Sequence, residues 1–580
     1  MNAGHGAAEA GPGLPSRFDE TGRSRTTSTR WAVRRLNPPN RLWGSNGVAF
    51  GPDGRLYVAQ FLAGQISAVD PATGDVEVVV PMDGPVQSPD DLAFGADGSM
   101  YIADLVPGRV WRRDPQGTYT LVRSDVVNPN GITCVGDRLF VNEMKPDGRL
   151  LELFPDGRDP VVLTQGLALG NAMQLGPDGH LYYPHMMSGA DPLNTGQVWR
   201  IPPDGGSPEL VADDVLQPVA VRFDRGGVLH VLSRGPQGVV TRIDLHGSGA
   251  RTLVTSGLTG LDNAAFDAEN RMFVSSYASG GVTELHPDGR TRQLVPTGLD
   301  GPYGVTVDLG GGVYAADHYR IASPAPDDGR GPGGPPVEAG TTGSPPDGAG
   351  SGPAGVTTRI LLPFAHGIAA DGTLLHSTSQ YGEVRTHDTG TGATQVRATG
   401  LRRPLGITVG PDGSLVVAEA DAGRIVAIDG RDTLTVRAEG LAGPVDVTFD
   451  GQGHCYVSDD RLGAVLRLDD DGSAVVVADG LGAPEGLAVL GDELFAVERT
   501  HRRLLAISPG TGEWRVDAEH LPVGPPPGIG PRAEPALFAG GMPGAPRGFA
   551  GLAVTPDGCL LLSADGEGTV LRLAPARPAV

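Results

Sequence analysis

The sequence predicts an all-β chain folded as two tandem six-bladed β-propellers, and three observations predict it. One phrase recurs twelve times: a small-residue strand, a Gly/Asp turn and an aromatic strand. Most copies start 39 to 48 residues apart, the length of a four-stranded propeller blade. Finally, 89 of the 580 residues are Gly and 51 are Pro, while aromatic residues make up only 5%. That balance suits many short strands joined by turns better than long helices.

The copies run in order from "SNGVAFGPDGRLYVAQ" at 45 through 89, 129, 170, 218 and 261. Six more follow from "PYGVTVDLGGGVYAAD" at 302 through 365, 404, 444, 484 and 549. Alternation in segments such as "RLYVAQ" and the Asp-Gly turns mark hairpins. Before the first copy, "WAVRRL" (31–36) reads as the outer strand of a blade. No such strand follows "GTVLRL" (568–573) after the last copy, so each ring is expected to close with a strand borrowed from its own N-terminal end. Equal division places one propeller at 31–290 and a second at 291–580. One larger ring, or a seven-plus-five split, has the same phase. Closure removes free sheet edges.

Three segments stand outside the rhythm. Residues 1–30 are polar and lack an apolar h-region, so a disordered N-terminal tail is expected. Residues 321–356 are Gly/Pro-rich with little apolar surface and read as a disordered insertion in the seventh blade. Residues 522–547 read as a loop insertion before the twelfth copy, a surface loop or a cover for the second mouth. Formal net charge is -23 and no basic patch is evident, which argues against nucleic acid and anionic membranes as partners. Cys134, Cys455 and Cys559 lie far apart in apolar runs and read as buried free thiols. Together these features predict a cytoplasmic protein. They leave its oligomeric state open.

The pattern of Asn-Gly, an apolar strand, Gly-Pro-Asp-Gly and an aromatic strand, followed by "GRI" or "GQV", resembles the gluconolactonase, regucalcin and luciferin-regenerating family. More loosely, it resembles NHL-repeat propellers. The resemblance implies that each inner strand begins at a ligand-binding mouth, with the residue before the glycine facing the axis. In the first half that position holds Asn46, Asp90, Asn130, Asn171, Val219 and Asp262. Five of the six carry side-chain oxygens, the donors that hard cations take. Each also fits a plain strand-end turn.

In the family one Glu, one Asn and one Asp hold a divalent ion. Carried over by blade position, the metal roles fall to Asp262, Asn130 and Asn171 and the substrate role to Asp90. Here the Glu has become Asp and the Asp has become Asn. Ca2+ is the first choice of ion, with Mg2+, Zn2+ or Mn2+ behind it. A second ring of positions ends the aromatic strands: Gln60, Asp104, Glu143, His185, Ser233 and Ser276. From these, Glu143 and His185 join Asp90 as catalytic candidates, and Gln60 and Asp104 join Asn46 as substrate-binding candidates.

The second half is more apolar at the axis, with Tyr303, His366 and Glu485 as its candidates. The resemblance implies a metal-dependent hydrolase of a small-molecule substrate, a lactone or ester, the ion polarising the carbonyl and a carboxylate or His activating water. The alternatives are a lyase or cyclase of secondary metabolism using His366 and Glu485, which would resemble the streptogramin lyases, or a non-catalytic propeller that binds a small molecule or protein.

Overall fold

A computed structural model describes residues 14–188, 191, 194–245, 247, 249–324, 355–530 and 547–576. All regular structure among them is β. The first repeat shows how each copy folds. Val48–Phe50, Leu56–Gln60, Gln65–Val69 and Val76–Val80 pair antiparallel in that order, from the axis outward.

Two local devices explain the repeated letters. Gly54 holds the turn with a φ of 79°, which side chains with a Cβ rarely adopt. The Tyr of the next strand then donates its hydroxyl to the turn Asp, Tyr57 to Asp53 at 3.1 Å, Tyr182 to Asp178 at 2.9 Å and Tyr456 to Asp450 at 3.1 Å. The glycine of the inner strand answers to crowding. A Cβ on Gly131 would lie 2.2 Å from the Asn171 carbonyl oxygen, and one on Gly367 would lie 2.2 Å from that of Leu405.

Hydrogen bonds between inner strands trace two rings. In the first, Gly47 N donates to Asp90 O, Val221 N to Ala172 O and the Arg222 side chain to Ala264 O. Ser275 Oγ of the sixth sheet then donates to Asn46 O of the first. In the second, Ala370 N donates to Thr306 Oγ1, Leu487 N to Asp446 Oδ2 and Gly486 N to Ala550 O. Gly551 N of the twelfth sheet returns to Tyr303 O of the seventh at 2.9 Å. A cavity of about 250 Å³ runs along the axis of this second ring, lined by all six of its inner strands.

The seventh and eighth repeats share one six-stranded sheet because Val313–Pro324 and Val356–Asp371 each bend sharply, at His318 (φ 47°) and Phe364 (φ 50°). Ala316 packs with Ile321, and Ala315 with Ala322, so the chain doubles back at residues 318–319. Of the predicted insertion 321–356, residues 325–354 lie outside the described residues, and 321–324 are strand. Of the predicted loop 522–547, residues 531–546 lie outside them.

The N-terminal segment departs from expectation twice. Trp31–Arg35 pairs with Thr569–Pro575 as the fourth strand of the last sheet, Trp31 opposite Pro575. It therefore completes the second ring, while the sheets of the first take all four strands from residues 48–295. The boundary at residue 31 is corrected accordingly. The reason is Trp31 itself, which is 3% exposed inside the apolar cluster of the last two blades.

The described part of the expected tail, residues 14–30, is also ordered against the body. Arg17 is buried, stacks 4.1 Å over Trp43 and donates to the carbonyls of Leu42, Asp565 and Gly566. Those carbonyls belong to both halves of the chain, so this segment fastens one ring to the other. Tyr277 of the first ring meets Tyr319 of the second edge to face at 5.2 Å. Both residues follow the ends of second strands, so the two mouths open toward each other.

Candidate functional site

The ends of the aromatic strands do not face the mouth. Glu143 accepts from Val127 N at 3.0 Å and from Arg149 Nη2 at 2.6 Å, with its side chain fully enclosed. Burial works against its charge, but the Arg149 hydrogen bonds and the Val127 N–H outweigh it and hold the carboxyl below its usual range. Asp104 accepts from Ser88 N at 2.7 Å and pairs with Arg109 at 3.0 Å. Gln60 accepts from Trp43 N and donates to Ser67 Oγ.

The same bracket recurs in the second ring, Glu419 with Arg402 N and Arg424, Glu498 with Gly482 N and Arg503. Each bracket ties the incoming loop to the start of the third strand. His185, at the equivalent position, stacks on Trp199 at 5.6 Å, and burial pushes it down to about 4. Glu143, His185, Asp104 and Gln60 are thus blade-flank residues, a correction to their expected place at the site. Side chains alternate along a strand, so the next residue takes the axial direction.

That next position holds Phe61, Leu105, Met144, Met186, Arg234 and Tyr277, which the sequence reading passed over. A signal was present: an acid with Arg five residues on, at 104/109, 419/424 and 498/503. Such a recurring pair marks scaffolding.

The inner-strand positions do converge on the mouth. Asn46, Asn130 and Asn171 are buried there, and Asp90 and Asp262 are partly exposed. Asn130 Nδ2 donates to Asp90 Oδ2 and to Met144 Sδ, the latter at 3.1 Å. Asn171 Nδ2 donates to Met186 Sδ at 3.1 Å, and its Oδ1 accepts from Ala172 N at 2.7 Å. These partners fix each amide's orientation. They leave Asn130 Oδ1 buried with no hydrogen-bond partner.

Burial, then the charge of Asp91, pushes Asp90 up to about 7. Burial, then the charges of Asp90 and Asp91, pushes Asp262 well up. Below them the channel is plugged where two repeats carry polar residues, Asp91 and Asn263, in place of the inner-strand glycine. Asp91 accepts from Asn263 Nδ2 at 3.0 Å and faces Arg222 at 3.8 Å. Among the described residues no group of three or more His, Cys, Asp or Glu is placed to hold a metal, so a cation here needs amide oxygens as well. The donors that fit are Asp90, Asp262 and the unpartnered Asn130 Oδ1. The Asn171 oxygen is already engaged.

The second mouth is built differently. Glu485 pairs with Arg499 at 3.1 Å and accepts from Ala550 N, and Arg499 also holds Asp565 at 2.9 Å. Burial, against the pull of Arg499, pushes Glu485 up to about 7. His366 lies against Tyr303, ring centroids 5.6 Å apart, and burial lowers it to about 4. His366 starts the eighth blade and Glu485 the eleventh, on opposite sides of a six-bladed axis. The structure does not bring them together as a pair.

No family model matches the chain, and no curated protein does. Solved structures do share features of it. A nidogen/laminin complex is 19% identical over 42% of this chain and 93% of that one, with a TM-score of 0.37. A gluconolactonase from Xanthomonas campestris, XC5397, is 18% identical over 47% and 96%, with a TM-score of 0.35. The extracellular domain of a putative one-component system, BT4673 from B. thetaiotaomicron, is 10% identical over 95% and 84%, with a TM-score of 0.31. At these identities and scores nothing about activity follows from the likeness.

Proposed function

We propose that the mouth of the first ring is the site of a metal-dependent hydrolase of a lactone or ester. One observation carries the reading: Asp90 and Asp262, both driven toward their neutral forms, stand with an Asn130 carbonyl that has no partner. Two partly exposed carboxylates in mutual repulsion and a bare amide oxygen form a set that a hard cation stabilises. Asp90, Asp262 and Asn130 Oδ1 would hold it, with Ca2+ the best match to an all-oxygen set. When bound, a divalent ion supplies Lewis acidity toward an ester carbonyl.

The chain's own residues do the rest. Asn130 Nδ2 hydrogen-bonds Asp90 and fixes which carboxylate oxygen faces the mouth. Asp90, ionised once a cation offsets the neighbouring carboxylates, would take the proton of an attacking water and return it to the leaving alkoxide. Met144, Met186 and Leu105 keep bulk water from the amides.

Calorimetric titration of chelator-treated protein with Ca2+, followed by turnover of a lactone panel with and without the ion, tests the reading. One equivalent bound by wild type and none by Asp262→Asn, with turnover dependent on that equivalent, is the expected result. Ca2+ binding unchanged in Asp262→Asn would place the ion elsewhere and end the proposal.

A further inference from the structure

The walls around the first mouth indicate what enters it. Phe61, Leu105, Met144 and Met186 pack into one apolar cluster with Val219, and the half-buried Leu62 and Met187 extend it outward. The two thioethers are turned to the Asn amides, so the collar presents alkyl groups and sulfur. Arg234 is the one charged member of that ring of positions, and a substrate hydroxyl set against the other collar side chains, away from the Asp90, Asp262 and Asn130 oxygens, would lose water without gaining a partner.

Across from the collar the second ring supplies aromatic faces. Tyr319 stands edge to face with Tyr277 at 5.2 Å and with Phe364 at 5.7 Å, and Phe364 with Tyr381 at 5.0 Å. Tyr381 is 37% exposed, while Tyr319 and Phe364 are partly exposed, so the series runs from solvent to the first mouth. The Tyr319 phenol is near enough to Asp90 and Asp262 to feel both charges. In a chain with 5% aromatic residues, four rings set along the junction of two propellers are a concentration that the blade cores do not require.

We propose that the substrate is an apolar cyclic ester carrying a flat ring, not a polyhydroxylated sugar lactone, and that Tyr319 reaches from the second ring into the site of the first to hold it. This rests on reading the first mouth as a hydrolase site. The carbonyl end would lie toward Asp90 and Asp262 and the flat ring against Tyr319, an arrangement in which aromatic contact gives orientation. Each propeller then supplies half of one chamber.

Coumarin, an aromatic lactone, serves as the binding probe, titrated calorimetrically into wild type, Tyr319→Ala and Tyr319→Phe in Ca2+. The expected result is binding to wild type, at least tenfold weaker binding to the Ala variant and recovery to within about threefold in the Phe variant. Glucono-δ-lactone should show no heat. Binding of coumarin that Tyr319→Ala leaves unchanged, no binding to wild type, or preference for glucono-δ-lactone would overturn the proposal. If Tyr319→Ala does not fold by calorimetry, Phe364→Leu tests the next ring, with a loss of about fivefold expected and an unchanged affinity refuting. Turnover of dihydrocoumarin reports separately on the hydrolase reading. Tyr319-dependent coumarin binding without turnover leaves the chamber standing and removes the hydrolysis.

Discussion

Replacing Trp31 with Ala should loosen the far end of the chain and spare the propeller that follows it in sequence. The Trp31 ring is 3% exposed, packs 5.8 Å from Phe495 and donates Nε1–H to Asp517 at 3.1 Å. Burying an aromatic side chain removes about 150–250 Å² from water, which at about 25 cal/mol per Å² is worth about 4–6 kcal/mol. Truncations of this kind cost about 3–5 kcal/mol. Asp517 keeps Arg30 and Arg515, each at 3.0 Å, so no buried charge is stranded and about 4 kcal/mol is the expected cost. For a unit of this size that lowers the unfolding temperature of the second ring by on the order of 10 °C.

Hydrogen exchange read by mass spectrometry locates the loss. Protection should fall in Pro484–Leu490, Leu560–Ala564 and Thr569–Pro575, while Leu56–Gln60 and Gln65–Val69 stay as in wild type. Loss of protection in the first ring at equal cost, or a cost under about 1 kcal/mol, would refute the assignment of this strand.

Three further outcomes are expected. Glu143→Gln removes one charge from the bracket with Arg149 and should lower stability by about 2 kcal/mol while leaving Ca2+ binding intact by titration; lost binding with intact stability would return Glu143 to the site. His185→Ala should leave lactone turnover within about twofold, since the ring faces Trp199, and a hundredfold loss would contradict that placement. In chelated protein, Asp90 holds a proton in the folded state from about its ordinary value of 3.8 up to about 7. The folded state therefore binds more protons over that window, and stability falls as pH rises through it. Asp91, Asp446 and Glu485, also pushed up, act with the same sign. Asp90→Asn should flatten part of the slope in thermal scans from pH 4 to 8, and a slope unchanged by the substitution would show that Asp90 does not titrate there.

Much of this architecture is legible in the sequence because a blade repeats the same solution. Asp-Gly turns, Tyr hydroxyls on turn carboxylates and axial glycines recur in register, and of the residues at the position before the glycine, Asn130 meets Asp90 at the first mouth. The axial side chain at the end of the aromatic strand is one residue beyond the expected position, and with period-two alternation one residue reverses the direction of the side chain. Met144 and Met186 look like core residues when read alone, and only their sulfurs' contacts with Asn130 and Asn171 reveal them as walls of the mouth. Tyr319 was out of reach for another reason. Its neighbours Tyr277 and Phe364 come from different rings, and no spacing in the chain announces that the mouths face each other.

The strand Trp31–Arg35 has a consequence for the order of events during folding. It is made early, but its partner Thr569–Pro575 is made more than five hundred residues later. The first ring has all its strands by residue 295 and can close while the ribosome is still at work, leaving this segment waiting beside it with an unsatisfied edge. Closing the second ring is therefore, among the described strands, the pairing of longest sequence separation and a late step, during which the open last blade is the chain's most exposed template for wrong pairing.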